Sequence, residues 1–358
     1  MKKYIIPSIL LFTMVWRAPF SQNIRLNFED AFIIGCAGAL AFYIAQKVNL
    51  WVGLFLGIAT ISAYFPFVTD ESTEAIFFIT FGVVWYMVCV HYFKNGTERV
   101  YDAICIIALF NVLFLVLQIL GIDPIHAAID PLKKFRVGLM SCNDGLSAML
   151  AICFPAFLRK KWCWFIPVIV FGLIGVQTFA GPLAVSVGLI FYAFCKVRSP
   201  YHVAGIVLLC VAGLYFYTLI DGPDTNWRLA TWKMAMFNLY PQHWILGSGL
   251  GHWKIVFANP EIAQKMLSLP NYFMRIMAQA HNEFIQGVFE MGVGFIVIVS
   301  GYFVNVFRRY GKEALLPVMA LICISVDSTA FFPFHIGILA FISIAWLADL
   351  EVKLAKNN

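Results

Sequence analysis

The chain has 358 residues, of which 61% are hydrophobic and only 12% charged, with a formal net charge of +6 and a mean hydropathy of +0.83. Because soluble domains carry about 25% charged residues, this composition excludes an ordinary water-soluble fold. It predicts an all-α polytopic membrane protein, since the apolar runs are continuous and do not alternate as barrel strands do. The positive charge calls for no nucleic-acid partner, because Lys and Arg fall in short clusters between apolar runs.

Apolar runs predict about twelve transmembrane helices in a single domain covering residues 1–358. The first run resembles a signal peptide, but it lacks a small-x-small cleavage site and is interpreted as an uncleaved span. The predicted spans are 4–16, 29–46, 49–67, 74–93, 101–120, 143–158, 162–178, 180–195, 202–220, 283–306, 313–331 and 334–350.

Basic residues between these spans predict the orientation of the chain. With the N-terminus inside, every inner connection is basic, which follows the positive-inside rule. This pattern predicts an even number of spans with both termini in the cytoplasm. The basic residues are Lys47, Lys94, Arg99, Arg159, Lys160, Lys161, Lys196, Arg198, Arg308, Arg309, Lys312, Lys353 and Lys356.

Two predicted outer connections, 121–143 and 221–282, also carry positive charge. Long loops translocate despite their charge, so the orientation stands. These cations either contact lipid headgroups or form a binding surface for an anionic substrate on the outer face. The residues of interest are Lys133, Lys134 and Arg136 in the first connection and Arg228 in the second.

The long periplasmic loop, 221–282, is predicted to be partly helical. Its stretch "RLATWKMAMFNLY", Arg228 to Tyr240, spaces apolar residues with a helical period. The later "GSGLG" is either a flexible turn or a phosphate-binding loop, and it lacks the flanking strand and helix of a dinucleotide fold. Arg228 is either a snorkelling side chain or a phosphate ligand, for which its planar fork is suited.

The cluster His281-Asn282-Glu283 begins the apolar segment that follows this loop. Asn282 is expected to cap a helix and Glu283 to lie in its first turn. On this interpretation His281 is merely interfacial. The same position also keeps an imidazole neutral and available as a base, although Glu283 acts in the opposite direction. The sequence has no HExxH, CxxC or acidic metal cluster, so no metal and no cofactor is expected.

Together these segments resemble the O-antigen ligase and polymerase family of bacterial inner-membrane proteins. Their order and spacing agree with the family over roughly residues 100–330. The matching segments are Arg228, Trp232, "ILGSGLG" at 245–251, "HNEFIQGVFEMGVG" at 281–294, and "RVGLMSCNDGLSAMLA" at 136–151 with Gly138 and Asn143. The chain departs from the family at "QTFAGPLA", 177–184, where many members carry a serine-arginine pair. Either a basic residue of the 133–136 cluster replaces that arginine, or the protein is a divergent or inactive member.

The resemblance implies transfer of a glycan from undecaprenyl diphosphate on the periplasmic face of the bacterial inner membrane, among membrane lipids. The acceptor would be a hydroxyl of lipid A-core, of another lipid-linked repeat or of a protein. His281 and Arg228 would be catalytic, and the substrate-binding candidates are Lys133, Lys134, Arg136, Trp232, Asn282 and Glu283.

We expect an O-antigen ligase of lipopolysaccharide biosynthesis, with a repeat-unit polymerase as the alternative. A polysaccharide transporter is the further alternative, and the sparse intramembrane charge and the lack of a visible half-to-half repeat argue against it.

Overall fold

A computed structural model describes most of the chain from residue 49 onward. The described residues are 49–64, 69–123, 137–140, 142–196, 204–205, 208, 231–239, 244–257, 280–329, 334 and 337–356. The predicted spans 4–16 and 29–46, and all of 202–220 except 204, 205 and 208, lie outside this set. Within the described residues every regular element is helical, which confirms the all-α prediction.

The described residues form eleven α-helices with defined bounds, α1 to α11 in chain order. They are α1 Leu50–Ala63, α2 Asp70–Phe93, α3 Glu98–Ile119, α4 Asn143–Phe157, α5 Ile166–Val176, α6 Ala180–Lys196, α7 His252–Phe257, α8 Glu283–Met291, α9 Val293–Arg308, α10 Leu315–Asp327 and α11 Gly337–Ala355. Short 3₁₀ turns at Cys163–Phe165 and Lys312–Ala314 precede α5 and α10, and a π-helix covers Met234–Leu239. The helical turns at 231–239 and 252–257 agree with the prediction of a partly helical long loop.

Two of the described helices, α2 and α3, are long and apolar enough to cross a membrane by length and composition. Shorter apolar helices cover Leu50–Ala63, Cys163–Val176, Ala180–Lys196 and Val293–Arg308. The predicted number of twelve spans is therefore not confirmed. Where the chain is described, the predicted positions overlap observed helices, with the exception that 283–306 contains two helices.

Helix α4 lies at the centre of the bundle, in contact with α3, α5, α6, α10 and α11. Every residue from Gly145 to Phe157 is buried. A helix that is apolar on all sides needs neighbours on all sides, and these five helices supply them. This core fixes the positions of the surrounding helix ends.

Glycines allow the helices around α4 to approach closely. A Cβ at Gly181 of α6 would lie 2.6 Å from the carbonyl oxygen of Ser147, and one at Gly188 would lie 2.8 Å from Cys323 Sγ. Small residues permit such contacts between helices in apolar bundles. The contacts tie α6 to α4 at one end and to α10 further along.

One end of the bundle, called the basic end, collects the connections predicted to be inside. Arg159 Nη1 donates to Asp102 Oδ1 at 3.1 Å and Lys161 Nζ to Asp102 Oδ2 at 2.8 Å. Lys353 Nζ lies 3.0 Å from Asp349 Oδ2. Lys353 Nζ also donates to the Tyr101 hydroxyl at 2.6 Å, so the end of α11 lies beside the start of α3 and the two groups of ion pairs are neighbours.

The opposite end, called the histidine end, contains His281–Glu283, the turn at 244–251 and the residues 327–329 that end α10. The amide of Glu283 donates to Ser328 O at 2.8 Å, which joins the start of α8 to the end of α10. Asn143 Nδ2 donates to Val176 O at 3.4 Å, which joins α4 and α5 at this end. Helix α4, which begins beside Val176 and ends just before Arg159, therefore runs from the histidine end to the basic end.

Candidate functional site

The helix that follows the long loop begins as the sequence predicts. Asn282 is the N-cap of α8, and its Oδ1 accepts a hydrogen bond from the Ile285 amide at 2.9 Å. Its Nδ2 donates to Thr329 O at 2.8 Å, and the residue is only 7% exposed. The capping prediction for Asn282 is confirmed, and both polar atoms of the side chain hydrogen-bond to the protein backbone.

Glu283 forms the first turn of α8, also as predicted, and its side chain joins a neighbouring segment. Its Oε1 accepts a hydrogen bond from the Phe334 amide at 3.0 Å. A carboxylate in the first turn interacts favourably with the helix dipole. Glu283 therefore fixes the chain that leads from α10 to α11 against the start of α8.

His281 has a left-handed backbone conformation, with a φ of 53°. Among the described residues, only His281 and Gln177 combine a positive φ with a side chain larger than glycine. Such conformations cost about 1–2 kcal/mol and persist where surrounding contacts enforce them. The side chain of His281 is half-buried, so the ring lies at the boundary between the bundle and its surroundings.

Hydrogen bonds on the preceding residue hold this conformation. The amide of Ala280 donates to Gln286 Oε1 at 3.1 Å, and its carbonyl accepts from Trp232 Nε1 at 2.7 Å. Trp232 was predicted as a substrate-binding residue, and its indole N–H is here bound to the backbone beside His281. Its observed role is to hold the backbone that leads to the histidine.

The glycine turn at 245–251 docks against the protein through its own amides. Ser248 N donates to Phe289 O at 2.7 Å, Gly249 N to Glu290 O at 3.1 Å, and Leu250 N to Ser62 O at 3.1 Å. A phosphate-binding loop needs its amides directed at the ligand. These three amides are directed at carbonyl groups, so the turn serves to join α1 and α8.

The prediction of one span over 283–306 is wrong, because this segment forms two helices, α8 and α9. Gly292 separates α8 from α9 with a φ of 69° and a ψ of −161°, a region open essentially to glycine alone. The Val293 amide donates to Trp244 O at 2.9 Å. The break arises because the glycine turn occupies the position where a continuous helix would pass. Gly294, two residues after the break, packs closely against Ile58.

Glu290 is a buried polar residue whose structural role was not predicted from the sequence. It is 5% exposed, and its Oε1 accepts from the Trp253 amide at 3.2 Å and from Gln286 Nε2 at 3.1 Å. The signal that was available is the four-residue spacing of Gln286 and Glu290, which puts both on one face of the helix.

A second pair of missed residues holds the turn at 137–140 to α3. Gln118 Oε1 accepts from the amides of Val137 and Gly138, each at 2.9 Å, and Asn111 Oδ1 accepts from the Leu139 amide at 3.0 Å. Gly138 has a φ of 60°, and a Cβ there would lie 2.9 Å from Asn111 O. The chain that emerges from the predicted basic cluster is therefore anchored at a fixed point.

The cationic candidates Lys133, Lys134, Arg136 and Arg228 lie outside the described residues. The structure brings together His281, Asn282, Glu283 and Trp232 at the histidine end. Among the residues that it describes, no three His, Cys, Asp or Glu side chains are arranged to hold a metal ion.

Comparison with protein-family models and with curated proteins found no match for this chain. What the structure defines is an all-helical bundle with a basic end and an opposite end at which a histidine is held at a helix start.

Proposed function

We propose that the protein is a membrane glycosyltransferase of the O-antigen ligase type, acting at the histidine end. The observation that supports this proposal is that two segments about 30 residues apart in sequence, 245–251 and 281–294, pack against each other. They form one docked unit through the contacts of Ser248 and Gly249 with the backbone of α8. His281 lies at the start of that unit, in an enforced backbone conformation.

The proposed reaction transfers a glycan from undecaprenyl diphosphate to an acceptor hydroxyl. The acceptor oxygen forms a bond to the anomeric carbon as the bond from that carbon to the diphosphate oxygen breaks. His281 takes the proton of the hydroxyl as a general base. Arg228 would stabilise the charge that develops on the lipid diphosphate.

The proposed location is the bacterial inner membrane, with several spans, both termini in the cytoplasm and the histidine end facing the periplasm. The layer of ion pairs formed by Arg159, Lys161 and Lys353 supports this orientation, because positive residues favour the cytoplasmic side. The proposed partners are a lipid-linked glycan donor, a lipid A-core or glycan acceptor, and membrane lipids. The bundle as described holds the histidine end at a fixed position relative to that layer.

The test replaces the ring of His281 while preserving its backbone. Alanine at this position would carry the cost of a left-handed residue, whereas asparagine and glycine tolerate that conformation. In a strain that lacks the chromosomal gene, H281N and H281G should abolish surface-glycan display at unchanged protein level. The matched control is H91N in α2, which makes the same chemical change near the basic end.

Normal display by both H281N and H281G would refute the catalytic role of His281. The product in the deletion strain separates the two transferase activities. A bare lipid A-core indicates a ligase, whereas single repeats on the core without longer chains indicate a polymerase. Loss of display in H91N as well would show that the effect of the His281 variants is not specific to this end.

A further inference from the structure

Gln286 and Glu290 form a buried polar pair on successive turns of α8. They are 6% and 5% exposed, in a helix whose other buried residues are apolar or glycine. Polar side chains are costly to bury unless their hydrogen bonds are made. The role of this pair therefore lies in the hydrogen bonds that it makes.

The pair connects two backbone segments that are separated in sequence. Gln286 Oε1 accepts from the amide of Ala280 at 3.1 Å, and Gln286 Nε2 donates to Glu290 Oε1 at 3.1 Å. The same Oε1 accepts from the amide of Trp253 at 3.2 Å. A continuous chain of hydrogen bonds thus runs from the residue before His281 to the start of α7, just after the glycine turn.

The orientation of the Gln286 amide is dictated by its two partners. The Ala280 amide can only donate, so it needs the oxygen, and the Glu290 carboxylate offers an acceptor to the NH₂ group. Flipping the amide would place two donors together and two acceptors together. The Gln286 side chain therefore has a single orientation between the Ala280 amide and the Glu290 carboxylate.

We propose that Gln286 and Glu290 are positioning residues for His281. They hold the left-handed backbone of His281 and fix its position relative to the glycine turn. This inference rests on the proposed function. Non-glycine residues keep a left-handed conformation only where neighbouring contacts over-determine it. Ala280, immediately before His281, has both its amide and its carbonyl bound by side chains, one of which is Gln286.

The first measurement is independent of any catalytic activity. Hydrogen exchange of the full-length protein in nanodiscs is followed by mass spectrometry in the peptide covering Ala280–Glu283. Q286L should speed exchange there by about tenfold, since a buried amide loses its partner. The matched control is Q118L, which removes a similarly buried glutamine and should speed exchange at Val137 and Gly138 while leaving 280–283 unchanged.

The second measurement is the transfer rate in proteoliposomes with an undecaprenyl-diphosphate-linked glycan. Q286L and E290L should lower kcat by about tenfold or more, because a misplaced base loses the alignment that the transfer requires. KM for the donor should stay unchanged. E290Q should restore most of the rate, since its amide oxygen can still accept from Trp253 and Gln286.

Two results would overturn the inference. Wild-type exchange at 280–283 in Q286L would show that the pair does not hold this backbone, and a wild-type kcat in both leucine variants would show that it does not position the histidine. Full activity in both H281N and H281G would instead refute the catalytic role of His281, and with it the catalytic purpose of the pair, whatever the exchange data show.

Discussion

Replacing Gly247 with alanine tests the close contact between the glycine turn and α8. Gly247 has a φ of 77°, and a Cβ added there would lie 2.5 Å from the Met291 amide nitrogen and closer still to the Glu290 carbonyl. Real Cβ atoms essentially never come within 3.0 Å of such neighbours. Both obstacles are main-chain atoms, so no change of rotamer relieves the clash.

Three costs contribute to the expected loss of stability. A left-handed residue with a Cβ costs about 1–2 kcal/mol, and overpacking costs about 1–3 kcal/mol. If the turn moves away, the hydrogen bonds from Ser248 and Gly249 to α8 weaken, at about 0.5–1.5 kcal/mol each. We expect G247A to lower the free energy of unfolding by about 3.5 kcal/mol, the sum of the middle values of the first two costs, and by more if the hydrogen bonds of the turn also weaken.

Two other glycines separate these costs. Gly121 has a φ of 81° but nothing within 4 Å of an added Cβ, so G121A should show the backbone cost alone, about 1–2 kcal/mol. Gly57, inside α1, also has nothing within 4 Å, and G57A should be neutral or stabilising by about 0.5–1 kcal/mol. The apparent melting temperature in detergent micelles should fall by about 5 °C or more in G247A. Equal losses in G247A and G121A would refute the reasoning, since the contact with α8 would then contribute nothing.

Two further predictions concern hydrogen bonds at opposite ends of the bundle. Asn282→Ala removes a helix cap and a donor to the end of α10, and it should lower the free energy of unfolding by about 2 kcal/mol. Asn282→Asp should have an intermediate effect, because aspartate still caps the helix. A lower melting temperature for the Asp variant than for the Ala variant would contradict this. At the basic end, Asp102→Asn should cost about 1–2 kcal/mol and Glu98→Gln less than about 0.5 kcal/mol. Asp102 accepts from three side-chain donors and its side chain is 25% exposed, against 75% for Glu98, so equal melting temperatures in these two variants would contradict the ranking.

Helix positions could be predicted from the sequence because each depends on a local run of apolar residues. The predicted span 143–158 is the helix Asn143–Phe157, and the predicted span 180–195 is the helix Ala180–Lys196. The Asn282 cap was predictable for the same reason, since capping involves residues three positions apart. The distribution of Lys and Arg also anticipated which connections lie at the same end.

The helix break at Gly292 could not be predicted in this way. Its cause lies in residues 244–251, about 40 positions earlier, whose backbone fills the space beside α8. The sequence displayed the glycines but not which segment would approach them. The roles of Gln286 and Glu290 were hidden likewise, because their partners at Ala280 and Trp253 become neighbours only after the loop folds back.

The two ends of the bundle use polar groups in different ways, and this difference bears on how an anion would be bound. At the basic end, charged side chains pair with one another, as Arg159 and Lys161 do with Asp102. At the histidine end, Asn282 and the amides of the glycine turn hydrogen-bond to backbone groups, and Gln286 and Glu290 bind each other as well as backbone amides, so these groups fix the local geometry. On the proposed function, a diphosphate would need cationic side chains, and the candidates predicted from the sequence are Arg228 and the 133–136 cluster, which lie outside the described residues. On that proposal the described residues set the position of His281, and the charge that stabilises the leaving group would come from the two connections predicted to lie outside, 121–143 and 221–282.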